Sequence, residues 1–298
     1  MHQALAEAVE RAGARVSDLA EAEALIFADP AAADTFPSII QQAHNVRWVQ
    51  LPYAGIETFV QHLDPRLVWT CGKGVYARPV AEHVLACALA GFRNLHQYAR
   101  ASSWSRPIGT NLLGARVTIL GAGGITDELL DLLAPFDCQT TVVRRSAERH
   151  PSADRTIATA DLAGVLPETD LLVVAWALTD ETRGLIDRHV FNALPSHAWL
   201  VNVGRGAHVV TDDMVEALAN GSIGGAAIDV TDPEPLPEGH PLWTEPRCLI
   251  TPHVGNTPEM GLPLLADRVR RNVALFCADA APADLRHLLG LVDVEAGY

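Results

Sequence analysis

From residue 113 to about residue 255, short runs of Val, Ile, Leu and Ala recur, and the stretches between them carry apolar residues at helical spacing. The runs predict strands at 116–120, 140–143, 171–175, 199–203, 226–230 and 248–250. Alternating strands and helices predict a parallel sheet joined by right-handed crossovers. Before this region the pattern is looser: an amphipathic helix in MHQALAEAVERAGARV, then strand-like pieces at 24–28, 47–51 and 68–71. Residues 79–98, PVAEHVLACALAGFRNLHQY, predict one long helix with a proline suited to its start. Residues 99–111 are polar and broken by Ser102, Ser103, Pro107 and Gly109, so they read as an arm. Beyond Thr257 a helix is expected to about Cys277, returning to the first region. The expected fold class is α/β: a parallel-sheet domain at 77–259, including the crossover helix and arm at 79–111, and a smaller α/β domain from 1–76 and 260–298.

The segment LGARVTILGAGG, 113–124, places a strand directly before Gly121, Gly123 and Gly124, and a helical stretch with Leu129, Leu130 and Leu133 on one face follows Ile125. Strand, glycine turn and helix form the opening of a dinucleotide-binding fold, where backbone N–H groups at the helix start hold a pyrophosphate. Thr126 stands where that motif has its third glycine, and a β-branched side chain there predicts a slightly displaced helix. An ordinary βα turn is the alternative. After the next strand the chain reads Val142-Val143-Arg144-Arg145-Ser146. NAD enzymes place an acid at that strand end to bind the ribose 2′-OH, whereas arginine accommodates a 2′-phosphate. With Arg144, Arg145 and Ser146 there and no acid at the strand end to repel phosphate, NADP is the preferred cofactor and NAD a possible one. A solvated arginine pair is the competing reading.

Three further residues each follow an apolar strand: Arg205, Glu234 and His253. Residues just past the carboxyl ends of parallel strands converge on one crevice. A guanidinium presents a planar fork that fits a carboxylate, so Arg205 can anchor a 2-oxo acid and polarise its ketone. His253 is the candidate general acid/base, since imidazole titrates near neutrality. Glu234 is its candidate partner, because a carboxylate within hydrogen-bond reach fixes an imidazole's tautomer and favours its protonated form. Plainer readings stand beside these. Arg205 could be a surface arginine before a glycine turn, DPEPLPEG an acidic surface loop, and most of the 12 histidines structural.

Together the motifs resemble the D-isomer-specific 2-hydroxyacid dehydrogenases. The resemblance runs through Val80-Ala81-Glu82-His83, Leu178-Thr179-Asp180-Glu181-Thr182-Arg183-Gly184-Leu185-Ile186, Asn202-Val203-Gly204-Arg205-Gly206, Asp229-Val230 with Glu234-Pro235, and Thr251-Pro252-His253. Ala54-Gly55-Ile56-Glu57 is similar to the family's AGVD. The resemblance implies a Rossmann-type nucleotide domain inserted into a flavodoxin-like substrate domain, with the cleft between them. It implies hydride transfer between a nicotinamide cofactor and a 2-oxo acid, giving a D-2-hydroxy acid. The Arg-Arg-Ser element is similar to the glyoxylate/hydroxypyruvate reductase branch.

By the same resemblance, Asp229 binds the nicotinamide carboxamide, and Ala177, Leu178, Thr182, Val203, Gly204 and Gly255 contact the cofactor. Tyr53, Ala54 and Gly55 with Lys73, Gly74 and Val75 line the substrate side. A homodimer through the nucleotide domain is implied, with 99–111 as an embracing arm. Formate oxidation is disfavoured, because related formate dehydrogenases carry glutamine where this chain has Glu234. A phosphoglycerate dehydrogenase-like enzyme and a nucleotide-sensing binding protein without turnover are the alternatives. The chain opens in a helix rather than the strand that usually begins this fold, so an upstream start or a missing first strand is expected.

Composition narrows the setting. At 298 residues the chain can bury about three quarters of its unfolded surface and form two domains. No apolar run reaches the roughly 20 residues that cross a bilayer, and the N-terminus lacks a secretory apolar region. A formal charge of -14 argues against nucleic acid, though a single arginine can still dominate a cleft that takes an anion. The five cysteines are scattered and none has the C-x-x-C spacing of a metal site, so reduced thiols, no metal and a cytoplasmic location are expected.

Overall fold

The computed structural model describes residues 1–278 and 285–295. Contacts divide the chain into two compact units, Met1–Tyr76 with Thr257–Tyr298, and Ala77–Asn256. Of the expected 260–298 segment, residues 279–284 and 296–298 lie outside the described residues.

The first unit begins with α1 (His2–Arg11), followed by β1 (Ala24–Ile26), α2 (Phe36–Ile40), β2 (Trp48–Gln50) and β3 (Val68–Thr70). The strands form a parallel sheet in the order β1-β2-β3. One face is filled by Phe27, Phe36 and Phe59 in edge-to-face contact, with Trp69 against Phe36. Such aromatic packing supplies a large apolar area to a small sheet.

The second unit opens with α3 (Ala77–Phe92) and α4 (Leu95–Tyr98). The expectation of one helix over 79–98 is corrected. The helix stops at Phe92, and Asn94 takes a left-handed conformation, φ 52°, before a short turn resumes. Asn is among the few non-glycine residues that visit this region readily. The break brings the buried His96 ring edge-on to Trp199, centroids 5.4 Å apart.

Seven strands follow: β4 (Arg116–Leu120), β5 (Gln139–Arg144), β6 (Arg155–Ala158), β7 (Leu171–Val174), β8 (Trp199–Asn202), β9 (Gly225–Ile228) and β10 (Cys248–Ile250). Between them run α5 (Gly124–Leu133), α6 (Arg188–Ala193) and α7 (Thr211–Asn220). All strands are parallel, in the order β10-β9-β8-β7-β4-β5-β6. Strand β6 is absent from the sequence-based expectation. It is an edge strand, with only Ile157 of its four residues buried, so its apolar signal is weak. Every residue of β7, β8 and β9 is buried, as a sheet covered on both faces requires. The strand order reverses at β4, whose neighbours are β5 and β7, and ligands in such sheets bind outside the carboxyl ends at that reversal.

The last long helix, α8 (Pro258–Ala278), belongs to the first unit. Leu265, Val269 and Val273 cluster with Leu5, Ala8 and Trp48. A buried polar chain ties it to the sheet. Trp48 Nε1 donates to Thr70 Oγ1 at 2.8 Å, and Thr70 donates to Gln50 Oε1 at 2.9 Å. Asn272 Nδ2 donates to the same Gln50 oxygen at 3.0 Å and to Leu289 O at 2.9 Å, while its Oδ1 accepts the Leu289 N–H at 2.8 Å. Each member is satisfied, which is the condition for a buried polar network to stabilise. Among the described residues no helix is long and apolar enough to cross a membrane.

Two outcomes follow. Asn272→Ala removes the partner of the Leu289 N–H and carbonyl and one donor to the buried Gln50, and should cost about 1–3 kcal/mol, read as a lower urea midpoint; an unchanged midpoint would remove this network from the fold's support. Asp170 gives a pH test. Burial raises its pKa, but hydrogen bonds from Arg116 and His197 outweigh burial and hold the carboxyl below its ordinary range. A depressed folded pKa contributes stability that is present above the unfolded value and lost as pH falls through the folded one. Asp170→Asn should therefore lower the unfolding midpoint at neutral pH, with the gap from wild type closing below about pH 4.

Candidate active site

The loops at the carboxyl ends of the seven-stranded sheet, in the second unit, hold the expected cofactor residues and Arg205, Glu234 and His253. Gly121 follows the buried end of β4, and its N–H donates to Val143 O at 2.8 Å. Its φ is +123°, and a Cβ there would lie 2.7 Å from Ala175 O, so only glycine fits this crossing of β4 and β7. Gly123 precedes α5 and has nothing within 4 Å of where a Cβ would stand. The N–H groups opening a helix, here at Gly123, Gly124 and Ile125, have no carbonyl within the helix to bond. An open glycine beside those donors fits a pyrophosphate. Thr126, expected to hold the helix off the strand, is fully buried, and its hydroxyl donates to Gly121 O at 2.9 Å. That bond, which the sequence-based reading lacks, links helix to turn. Asp127, in the first turn of α5, meets the buried His150 Nε2 at 2.9 Å, clipping the loop after β5 to this helix.

At the end of β5, Arg145 and Ser146 are exposed and Arg144 is half-buried. No acid lies at the strand end itself, but one stands close to Arg144 in space. Glu148 Oε2 lies 3.3 Å from Arg144 Nη2, and Glu148 O accepts from Nη1 at 3.4 Å. The acid lies four residues along, in a turn that curls back, and so escapes a reading confined to the strand end. Beyond β7, Thr182 Oγ1 donates to Ala177 O at 2.9 Å and accepts from Thr179 N at 2.9 Å, which sets the loop carrying Leu178.

After β8, Asn202 Oδ1 accepts the Gly204 N–H at 3.1 Å and its Nδ2 donates to Arg205 O at 3.0 Å. Val203 and Gly204 are buried; Arg205 is half-buried, with Nη1 donating to Gly204 O at 2.8 Å. A Cβ on Gly206 would lie 1.9 Å from the Thr231 carbonyl carbon. Only a glycine there lets the Arg205 turn lie against the turn that leads to Glu234.

Asp229 directly follows β9 and is 5% exposed. Its Oδ1 accepts from Thr251 Oγ1 at 2.7 Å and Val254 N at 2.8 Å, its Oδ2 accepts from Gly255 N at 2.9 Å, and its carbonyl accepts from His253 N at 2.8 Å. A carboxylate has about four acceptor positions, and these three side-chain bonds fill both of those on Oδ1 and one on Oδ2. His83, on α3, reaches the same place: Nε2 lies 3.0 Å from Thr251 Oγ1 and 3.5 Å from Asp229 Oδ1.

His253 takes a left-handed conformation, φ +53°, and its Nδ1 lies 2.6 Å from Glu234 Oε1. Glu234 Oε2 accepts the Thr231 N–H at 3.4 Å. With Nδ1–H donating to the carboxylate, Nε2 is the nitrogen that can exchange a proton. The His253 side chain is 53% exposed, so a small molecule can reach it. Sequence reasoning missed His83, Asn202, Thr251 and His208 as supports. The first three lie inside the motifs and His208 lies two residues past Gly206, but nothing in their spacing shows what they touch.

The expected substrate-side residues lie in the first unit. Tyr53 and Ala54 are exposed, Gly55 half-buried, and Gly72 N donates to Tyr53 O at 2.9 Å, joining that loop to 71–75. Val75 N donates to Gly72 O at 2.9 Å, and Gly74 has φ +77°. Arg268 of α8 donates to Cys71 O at 3.3 Å and Lys73 O at 3.1 Å.

Comparison with known proteins gives consistent matches. Residues 83–255 match the model of the D-isomer specific 2-hydroxyacid dehydrogenase NAD binding domain. An uncharacterized Corynebacterium melassecola protein encoded in the proB 3′ region is 39% identical over 293 residues, covering 95% of this chain and 92% of its own. Glyoxylate/hydroxypyruvate reductase A of Serratia proteamaculans is 32% identical over 227 residues, 74% of this chain and 69% of its own. The NADPH-dependent glyoxylate/hydroxypyruvate reductase of Sinorhizobium meliloti, solved with NADP and sulfate, superposes with a TM-score of 0.80 at 25% identity, covering 98% of this chain and 96% of that one.

Proposed function

The chain belongs to the D-isomer-specific 2-hydroxyacid dehydrogenase family, oxidoreductases that use a nicotinamide cofactor, and within that family we propose a reductase of small 2-oxo acids of the glyoxylate and hydroxypyruvate kind. The observation that carries the proposal is the 2.6 Å contact between His253 Nδ1 and Glu234 Oε1. Reduced nicotinamide, when bound, supplies the hydride. Arg205 anchors the substrate carboxylate with its guanidinium fork and polarises the ketone oxygen as negative charge develops there. His253 gives the Nε2 proton to that oxygen, and Glu234 holds the ring in the tautomer and orientation the transfer needs. Asp229 keeps the His253 loop in place and offers an acceptor to the carboxamide.

The cofactor we favour is NADP, with NAD as a weaker alternative. Arg144, Arg145 and Ser146 supply the chemistry for a 2′-phosphate. The Glu148 contact does not preclude it: Glu148 is 74% exposed, and ion pairs at such surfaces contribute little, so a doubly charged phosphate competes well for Arg144. The NADPH dependence of the Sinorhizobium meliloti reductase supports this preference. We further propose that the enzyme works as a homodimer. Trp104, 102% exposed, and the exposed Ile108 and Leu113 form an apolar stretch on and beside the arm that a second copy would cover. Five free thiols suit a reducing, cytoplasmic setting.

The direct test follows NADPH and NADH oxidation with glyoxylate, hydroxypyruvate, pyruvate and phenylpyruvate. Turnover of small 2-oxo acids is expected, faster with NADPH; nucleotide binding with silence across the panel would mean a binding protein instead. His253→Ala should leave NADPH affinity nearly intact and lower turnover by about 10² to 10⁴. Undiminished turnover would take His253 out of the chemistry. Arg144→Asp should shift preference toward NAD, and an unaltered ratio of the two cofactors' kcat/KM values would locate the phosphate contact elsewhere.

A further inference from the structure

We infer that His208 is a positioning residue for Arg205: its neutral ring spans from the arginine's backbone N–H to the Ala177 carbonyl and fixes the pose from which the guanidinium meets a substrate carboxylate. The inference rests on the reading of Arg205 as the carboxylate anchor.

The ring is fully buried. Its Nδ1 lies 3.0 Å from Arg205 N, and its Nε2 lies 3.3 Å from Ala177 O on the loop leaving β7. Gly204 makes room for it, since a Cβ there would stand 3.0 Å from Nδ1 and 3.1 Å from Cε1. The surroundings choose the tautomer. Nδ1 is also 3.1 Å from Arg205 O, but that carbonyl already accepts from Asn202 Nδ2 at 3.0 Å and from His208 N at 3.2 Å. A proton on Nδ1 would take the acceptor away from the Arg205 N–H and set a bare Nε2 against the Ala177 oxygen. A proton on Nε2 satisfies both contacts.

Burial keeps the ring neutral by lowering its pKa. The nearby charges of Arg205 and Arg183 act in the same direction, against the carbonyls of Ala177 and Arg205. Its two contacts thus join the loop after β8, which bears Arg205, to the loop after β7. Neither His253 nor Glu234 is among them, so loss of the ring falls on substrate anchoring.

The test uses the full-length enzyme with NADPH and glyoxylate. His208→Ala should lower kcat/KM by about 10- to 100-fold, mainly through KM for glyoxylate, with the Kd for NADPH little changed. His208→Asn places an amide oxygen near the Nδ1 position and should recover most of the loss. His208→Gln reaches only toward Ala177 and should recover less. In an Arg205→Ala background, His208→Ala should cost nothing further, because the two act as one unit.

Losses that multiply in the double variant, or His208→Asn no better than His208→Gln, would overturn the inference. If His208→Ala fails to fold, the Asn and Gln pair still decides it. Nitrogen-15 shifts of the His208 ring provide a readout independent of activity: an Nε2–H tautomer is expected, and an Nδ1–H tautomer would overturn the assignment. Wild-type kinetics in Arg205→Ala alone would sink the reading of the arginine. A crippled Arg205→Ala beside fully active His208 variants would sink this inference only.

Discussion

The Asp229 carboxylate holds the candidate site together. It closes the end of β9 and draws in one hydroxyl and two N–H groups from the loop after β10. That loop contains His253, whose left-handed backbone costs on the order of 1–3 kcal/mol for a residue other than glycine. Hydrogen bonds to a carboxylate are worth about 1.5–3 kcal/mol each, so three of them readily offset the strain. In that conformation the imidazole Nδ1 lies 2.6 Å from Glu234 Oε1, the contact on which the proposed acid/base role rests. His83 reaches the cluster from α3, so the crossover helix also helps to hold the loop.

Close backbone approaches do a second job. Gly121 lets the turn after β4 cross the end of β7, and Gly206 lets the Arg205 turn rest on Thr231. A Cβ at either position would overlap backbone, which cannot move aside as a flexible side chain can. These glycines therefore set how near the turn after β4, the arginine and the glutamate-bearing loop sit to the sheet. The absence of two side chains makes part of the room for that approach.

Much of this was legible along the chain. Strands β4 and β10 fall where the apolar runs end, and Arg205, Asp229, Glu234 and His253 follow strands as residue type and position suggest. Departures occur where local pattern competes with tertiary contact. The helix expected over 79–98 is periodic throughout, yet breaks at Asn94 so that His96 can meet Trp199. Strand β6 is half-polar because it lies at the sheet edge, and its pattern does not announce a strand. Glu148 reaches Arg144 through a turn whose shape has no periodic signature.

The sequence by itself determined the periodicities, and with them the alternating α/β units, the glycine turn before α5 and the residue types that end each strand. Backbone geometry makes these local properties, repeating every two residues in a strand and every 3.6 in a helix. Only the tertiary structure decided which side chains meet: His83 with Thr251, Glu234 with His253, Asn272 with Gln50, and His208 bridging Arg205 and Ala177. Those pairings depend on strand order in the sheet and on which carbonyls remain unsatisfied at its edge. Both are outcomes of packing the whole chain, and no short window of sequence contains them.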